Sequence, residues 1–343
     1  TLWHTLSLHD ALPISAHFDT LGRTFLTEIH NRVVCQHHRL DGTEDKIATR
    51  VELDIEGNQR AVHDERRLPD PDSDGLPLGA LEQRVVMHYE YDMLGNRIHQ
   101  QSMEAGARWM VNDVSGQPIR AWDSRGHNFS TAYDALRRPL AQTVRGTADE
   151  SDPRTLDRDI LVDQTEYGEI LANAEDFNLR TRMYRHFDSA GVVTNARIDD
   201  NGDPIKAYDF KGNLLHLTRR LVSDYKAITD WSQNPHLENE NFASSTRYDA
   251  LNRPIQTIAP HSSLPHARLN IIQPVFNEAN LLEGIDAWLE RPTEPSGLID
   301  PQTDLPSPVG IVNVDYNAKG QRLRIDYKNG ATTRYTYDPD TFR

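Results

Sequence analysis

Four groups of residues have types and spacings that could carry chemistry. Asp70, Asp72, Asp74 and Gly75, in DPDSDG, follow the first half of a calcium loop, where hard carboxylate oxygens surround the ion. The bidentate glutamate of such a loop would fall at position 81, which is leucine. Glu82 misses by one, and Pro71 and Pro77 sit within the segment, so it reads as a solvated turn. Cys35, His37 and His38, in CQHH, offer sulfur and imidazole nitrogen to zinc. A tetrahedral site needs four ligands, usually as spaced pairs, and no second pair follows, so this stretch reads as strand surface. Trp109, Trp122 and Trp231 could stack on sugar rings, although such residues more often make cross-strand aromatic contacts. The recurrent Tyr-Asp pairs are not acid–base dyads, because neighbours in a strand point to opposite faces. G-x-S-x-G, H-E-x-x-H and a phosphate-binding glycine loop are all missing from the sequence. We therefore assign no catalytic, cofactor-binding or metal-binding residues, and expect a protein that is not an enzyme and needs no cofactor.

The totals narrow the field further. Hydrophobic residues make up 37% of the 343-residue chain, and the mean hydropathy is −0.67. That is polar for a globule of this length and suits a sheet with a wet face. A net charge of −15 argues against a nucleic-acid partner, which would need a basic stripe. No apolar run approaches the ~20 residues of a membrane span. With Cys35 the one cysteine, there is no disulfide framework.

The elements that would position any site are announced by a repeat. YDMLGNRI begins at Tyr91, YDALRRPL at Tyr133, YDFKGNLL at Tyr208 and YDALNRPI at Tyr248. Related windows start at Phe18, Leu53, Asn112, Trp122, Phe187, Ile198, Phe276 and Tyr316. In nine of these twelve the fifth place is glycine; the exceptions are Arg137, Asn252 and Asn280. Starts at 112, 122 and 133, and again at 187, 198 and 208, lie ten or eleven residues apart. That spacing is one short strand plus a turn. The aspartate begins the turn by accepting a backbone N–H two residues on, and the fifth residue takes a positive φ. The expected fold class is all-β: an antiparallel meander of hairpins, with each eight-residue window comprising a strand end, a turn and the next strand.

Tyr-Asp-x-x-Gly-Arg/Asn at this recurrence resembles the YD repeat of Rhs proteins, most densely from Arg108 to Leu140. The resemblance covers most of residues 16–343 and includes the repeat segments of bacterial polymorphic toxins and of the C component of Tc toxin complexes. It implies a curved β-sheet forming part of a hollow shell, with a C-terminal toxin domain enclosed. The implied partners are that toxin domain of the same longer chain and a partner shell subunit, and the implied location is secreted or cell-surface. A self-cleavage region centred on Asp-Pro follows the repeats in that family. Asp338-Pro339-Asp340 belongs to a repeat opening and does not match it, so neither the cleavage site nor the toxin is expected here. The competing reading is a repeat module that binds carbohydrate or a cell surface through exposed tryptophans.

Four stretches depart from the period, near 65–81, 146–159, 221–241 and 291–310, and read as inserts between hairpins; the third could contain a short helix, and the last, with five prolines, reads as a loop. Asn277–Glu290 fits either a degenerate repeat with a strand or a helix with apolar residues at 281, 282, 285, 288 and 289. Residues 1–15 stand apart. One frame of a common short-read sequencing adapter encodes Thr-Leu-Ser-Leu-His-Asp-Ala-Leu-Pro-Ile and opens a serine codon, which reproduces Thr5 to Ser15. We expect these residues to be foreign to the fold and the chain to be an internal fragment of a longer protein.

Overall fold

The computed structural model describes residues 14–32, 44–67, 81–146, 158–199, 201 and 203–338. Asp70–Gly75 and Cys35–His38 lie outside them. The chain divides into two compact units, Thr1–Ala132 with Val144–Asp159, and Tyr133–Thr143 with Ile160–Arg343. In the first unit run β1 (Ile14–Phe18), β2 (Thr24–Arg32), β3 (Glu44–Leu53), β4 (Gln59–Arg67), β5 (Leu81–Tyr91), β6 (Arg97–Ser102), β7 (Gly106–Asn112), β8 (Pro118–Asp123) and β9 (Asn128–Tyr133, whose last residue belongs to the second unit). Next come β10 (Pro139–Arg145) and β11 (Asp159–Tyr167), which contribute residues to both units. The second unit continues with β12 (Met183–Asp188), β13 (Gly191–Thr194), β14 (Arg197–Ile198), β15 (Pro204–Lys206), β16 (His216–Val222), β17 (Leu237–Tyr248) and β18 (Pro254–Ser262). It ends with β19 (Leu269–Phe276), β20 (Leu282–Arg291), β21 (Gly310–Tyr316), β22 (Arg322–Tyr327) and β23 (Thr332–Arg334).

The pairing is antiparallel and mostly between successive strands, as the period requires. Twenty-one of these strands belong to such ladders, while β14 and β15 pair only with each other. Helix is confined, among the described residues, to 3₁₀ turns at Gly168–Ile170, Ala174–Phe177 and Trp231–Gln233. The ambiguous segment from Asn277 is a tight turn followed by β20, so its apolar residues serve a strand. Residues 1–13 lie outside the described residues. Ile14 and Ser15, placed outside the fold by their sequence, pair with Ile29 and Glu28 of β2.

The two units bury apolar surface differently. Among the described residues of the first, the buried apolar side chains are Ala48, Ala61 and Tyr89. In the second, inserts fold back over one face of the sheet. Trp231 closes a cluster with Val192 and Val222, and its indole N–H donates to the Asp188 carbonyl at 3.1 Å. Ala174, Leu179 and Tyr184 pack with Ala196 and Ala207 in another.

The proline-rich stretch between β20 and β21 is more than a loop. It crosses four strands in turn, and each strand supplies a side chain that binds its backbone. Arg247 of β17 donates to the Ser296 carbonyl at 2.8 Å, and Gln256 of β18 to Gly297 at 3.0 Å. Gln273 of β19 donates to the Ile299 carbonyl at 2.9 Å and accepts its N–H at 2.8 Å, and the Trp288 indole of β20 donates to Asp304 at 3.0 Å. Prolines cannot join a ladder, so side chains satisfy this strap instead. Beneath it lie Ile258, Leu269, Ile271 and Trp288, packed against Ile299.

This geometry predicts that Gln273→Leu, which strips the strap of two bonds, costs about 1–3 kcal/mol as buried polar partners are lost. The urea midpoint falls, and protease cleavage between residues 292 and 309 accelerates before global unfolding. Trp288→Ala, emptying a fully buried site, costs more, about 3–5 kcal/mol.

Candidate functional site: columns of aspartate turns

The recurring object in this molecule is the turn at each repeat window, numbered here by place from one to eight. In the window from Tyr91, the Asp92 N–H donates to the Asn96 carbonyl at 2.9 Å and the Gly95 N–H to the Asp92 carbonyl at 3.1 Å. One carboxylate oxygen of Asp92 accepts the N–H groups of Leu94 (2.8 Å) and Asn96 (2.9 Å), and the other accepts the Asn96 amide at 2.9 Å. Gly95 sits at φ 79°. This is a three-residue hairpin loop with a left-handed closing residue. It forces a bulge, so the first place pairs with the seventh: Tyr91 faces Arg97, and Tyr248 faces Pro254. Where glycine is replaced the backbone is unchanged, with Arg137, Asn252 and Asn280 at φ 65°, 63° and 69°.

Sequence reasoning gave the aspartate and the fifth place but left the sixth without a role. The sixth side chain clamps the free carboxylate oxygen. Arg23 and Arg138 reach Asp19 and Asp134 at 2.6 Å, Arg253 reaches Asp249 at 2.7 Å, and His127 reaches Asp123 at 2.9 Å. Where the second place is Asn317, the polarity reverses and its amide donates to Gln321 at 2.8 Å. The signal was legible in most windows, where aspartate occurs with a donor at the sixth place and Asn317 with a glutamine that can accept; in the window from Ile198 the sixth place is Asp203, and the second oxygen of Asp199 accepts from the Asn201 amide at 3.4 Å instead. The window from Phe187 departs from the pattern. Asp188 binds the N–H groups of Ala190 and Gly191 in a shorter hairpin, with Gly191 at φ 150°, and Arg219 takes the place of the clamp at 2.8 Å.

Turns two strands apart on one sheet edge are about 10 Å from each other, within reach of a long side chain. In the first unit Arg23 donates to the Asp54 carbonyl at 3.4 Å, Asn58 lies alongside Gly95, and Asn96 alongside Gly116. In the second, Asn213 donates to Asn252 at 3.0 Å and Arg253 to Asn280 at 2.5 Å. Arg253 also lies over the Phe276 ring at 4.6 Å, and Arg138 over Tyr167 at 3.9 Å. Tyrosine at the first place adds a second tie, one that the repeat pattern does not disclose. At several windows its hydroxyl donates to the carbonyl at the seventh place of the preceding turn on that edge, whereas Tyr208 donates to the Met183 carbonyl at 3.1 Å. Tyr91 reaches Gln59 at 2.9 Å, Tyr316 reaches Leu282 at 2.7 Å and Tyr337 reaches Arg322 at 2.9 Å; Tyr167 reaches Pro139 likewise at 3.1 Å.

The electrostatics follow from this bonding. The Asn96 amide and backbone N–H hold the Asp92 carboxyl below its ordinary value. The backbone N–H groups of Arg23 and Arg253, followed by their guanidiniums, do the same for Asp19 and Asp249. Among the described residues no metal-holding cluster occurs: His88 and His99 approach Glu90 at 3.8 and 3.7 Å, and His186 pairs with Asp163. Trp109 stands directly opposite Trp122, stacks on His99 at 5.2 Å and remains 44% exposed, whereas Trp231 is buried. No helix among the described residues is long and apolar enough to cross a membrane.

Hairpin meander and turn columns together make an antiparallel β-sheet built on a recurring Tyr-Asp turn. No family model matches the chain. Two toxin subunits of Yersinia entomophaga are similar to it: YenC2, 25% identical over 288 residues that cover 77% of this chain and 26% of YenC2, and YenC1, 22% identical over 75% of this chain and 23% of YenC1. The chain thus spans about a quarter of the length of these relatives. Among solved structures, the TcdB2-TccC3 crystal structure matches 96% of this chain with a TM-score of 0.64 at 21% identity, covering 14% of that chain. A Tc holotoxin pore of Photorhabdus luminescens matches the same share at 0.65 and 21%, covering 13% of that chain. The chain is similar in sequence to these toxin subunits and shares the fold of the TcdB2-TccC3 structure over this region.

Two outcomes test the turns. Folded carboxyls lowered below 3.8 contribute stability that is fully present above about pH 4 and lost as pH falls through their lowered values. Urea midpoints are expected to decline over that acidic range, with hydrogen exchange rising at the Asp92 and Asp249 turns and unchanged in mechanism at Asn277 and Asn317. Asp249→Asn lowers the neutral-pH midpoint, because an amide N–H then faces the Arg253 guanidinium where a carboxylate oxygen accepted from it, and adding Arg253→Gln restores part of it. Replacing Gly95 or Gly116 by valine costs about 1–3 kcal/mol from positive φ alone, and asparagine costs less. Gly212 should be worse than either, since a Cβ there would fall 2.1 Å from the Arg182 guanidinium that binds its carbonyl. Denaturant midpoints are the measure.

Proposed function

We propose that the chain is a structural segment of the repeat wall of a Tc-type toxin subunit, and that this wall encloses or displays a toxin domain carried on the longer chain. The observation that carries this reading is the turn column. Tyrosine hydroxyls and sixth-place side chains tie successive hairpins at several turns, which suits a continuous, stiff sheet. Similarity to toxin subunits over three quarters of the chain, and to TcdB2-TccC3 over nearly all of it, supports the same reading. The role is mechanical, with no enzymatic part assigned to this segment. Its partners are the enclosed domain and a second shell subunit, in a secreted complex.

A second reading rests on Trp109. Its exposed indole, backed by His99 and opposite Trp122, offers an aromatic face to a sugar ring. Carbohydrate attachment at a cell surface would follow from it.

The test uses the full-length parent protein. The domain encoded beyond the repeats should resist protease in the intact chain and be digested once Asp249→Ala and Asp92→Ala loosen the wall. Digestion in the intact chain as fast as in the isolated domain would refute enclosure. Glycan-array binding that disappears with Trp109→Ala would favour the second reading.

A further inference from the structure

On the strap face of the second unit, four basic side chains converge from four strands. Arg197 comes from β14, Lys206 from β15, His216 from β16 and Arg247 from β17, and they line one pocket at the start of the strap. A single carboxylate, Glu294, joins them there. It is already engaged, accepting from Ser245 at 3.2 Å and lying 3.8 Å from Arg197. Arg247 spends one nitrogen on the strap carbonyls of Ser296 and Pro295, at 2.8 and 3.4 Å. Lys206 and His216 have no hydrogen-bond or ion-pair partner among the described residues, and both face the pocket.

The balance is three permanent cations against one carboxylate, in a chain whose net charge is −15. Arg197 and Lys206 are exposed and His216 and Arg247 half-buried, so their like charges face one another across the recess. The strap engages Arg247 and Glu294 engages Arg197, while the exposed Lys206 ammonium pairs with no group among the described residues. Burial, and then the charge of Lys206, lowers His216 to about 4, so at neutral pH its imidazole is uncharged and free to donate one hydrogen bond.

We propose that this pocket binds an oxyanion, held by the Lys206 ammonium and the His216 ring N–H with Arg197 in support. The anion completes the charge balance that Glu294 leaves open. Arg197 also lines the neighbouring groove with Phe187 and Leu237. A ligand with an acidic group and an apolar portion could therefore span both.

Inorganic sulfate is the probe, titrated onto the 343-residue chain with ring-labelled histidine, and His216 is assigned by its loss in His216→Gln. The His216 signals are expected to move saturably, with half-saturation on the order of 1 mM. Lys206→Glu, at an exposed strand position, weakens binding roughly tenfold, and Glu294→Gln tightens it roughly threefold, as removal of a repelling charge should. The second change is a gain and cannot come from misfolding. Acetate, run alongside, separates a carboxylate ligand from a tetrahedral one; saturation by either anion supports the site. A drift that never saturates with both anions, or saturation indifferent to both substitutions, overturns it. The outcome does not depend on whether the repeat wall encloses a toxin.

Discussion

One aspartate oxygen that accepts two backbone N–H groups is the contact on which this architecture depends. At Asp92 it fixes the residues two and four places on, Leu94 and Asn96. That leaves the closing residue little choice but a positive φ, which glycine or asparagine adopts most easily. The bulge that follows sets the register of the next strand, and register decides which side chains face each side of the sheet. A local bond of the kind usually worth about 1 kcal/mol therefore governs features far larger than itself.

The same turn also links hairpins to one another. Its second carboxylate oxygen calls for a donor at the sixth place, and a donor long enough to reach that oxygen is long enough to touch the next turn. Arg253 does both, binding Asp249 and Asn280. Because two strand spacings separate equivalent turns, the tyrosine hydroxyl at the first place meets a backbone carbonyl at a fixed offset, as at Tyr91 and Tyr316. Stability in such an array is a sum of unit terms and neighbour terms. The neighbour terms here are polar and lie along the edge, which explains how a chain of mean hydropathy −0.67 can fold with few buried apolar side chains in its first unit.

The second unit solves the same problem by different means. Its inserts supply a second layer, and the strap brings its own polar backbone to the sheet. That backbone must be satisfied where no ladder can reach it. Arg247, Gln256, Gln273 and Trp288 do so from four successive strands. Buried glutamines in a sheet would ordinarily be costly; here they anchor the cover over Ile271 and Trp288. The recess at the start of this cover holds the converging cations, so the same insert that completes the core also shapes the pocket where Lys206 and His216 meet.

The all-β class, the hairpin order and the positions of the turns were determined by the sequence alone, because each turn is a local event: Asp92 and Gly95 lie three residues apart and their geometry needs no distant partner. The choice of Asn252 and Asn280 in place of glycine was likewise legible, since it depends on φ only. Tertiary structure decided what joins one repeat to another. Tyr91 binds a carbonyl thirty-two residues away and Arg253 an amide twenty-seven away, and no periodicity reveals which neighbour lies on the same edge once inserts of unequal length intervene. Nor could spacing reveal the strap, whose prolines read as a loop, or the meeting of Lys206, His216 and Arg247. Those residues come from strands whose adjacency depends on the β14–β15 hairpin folding onto the sheet face, and that is a matter of packing between distant segments rather than of pattern within one.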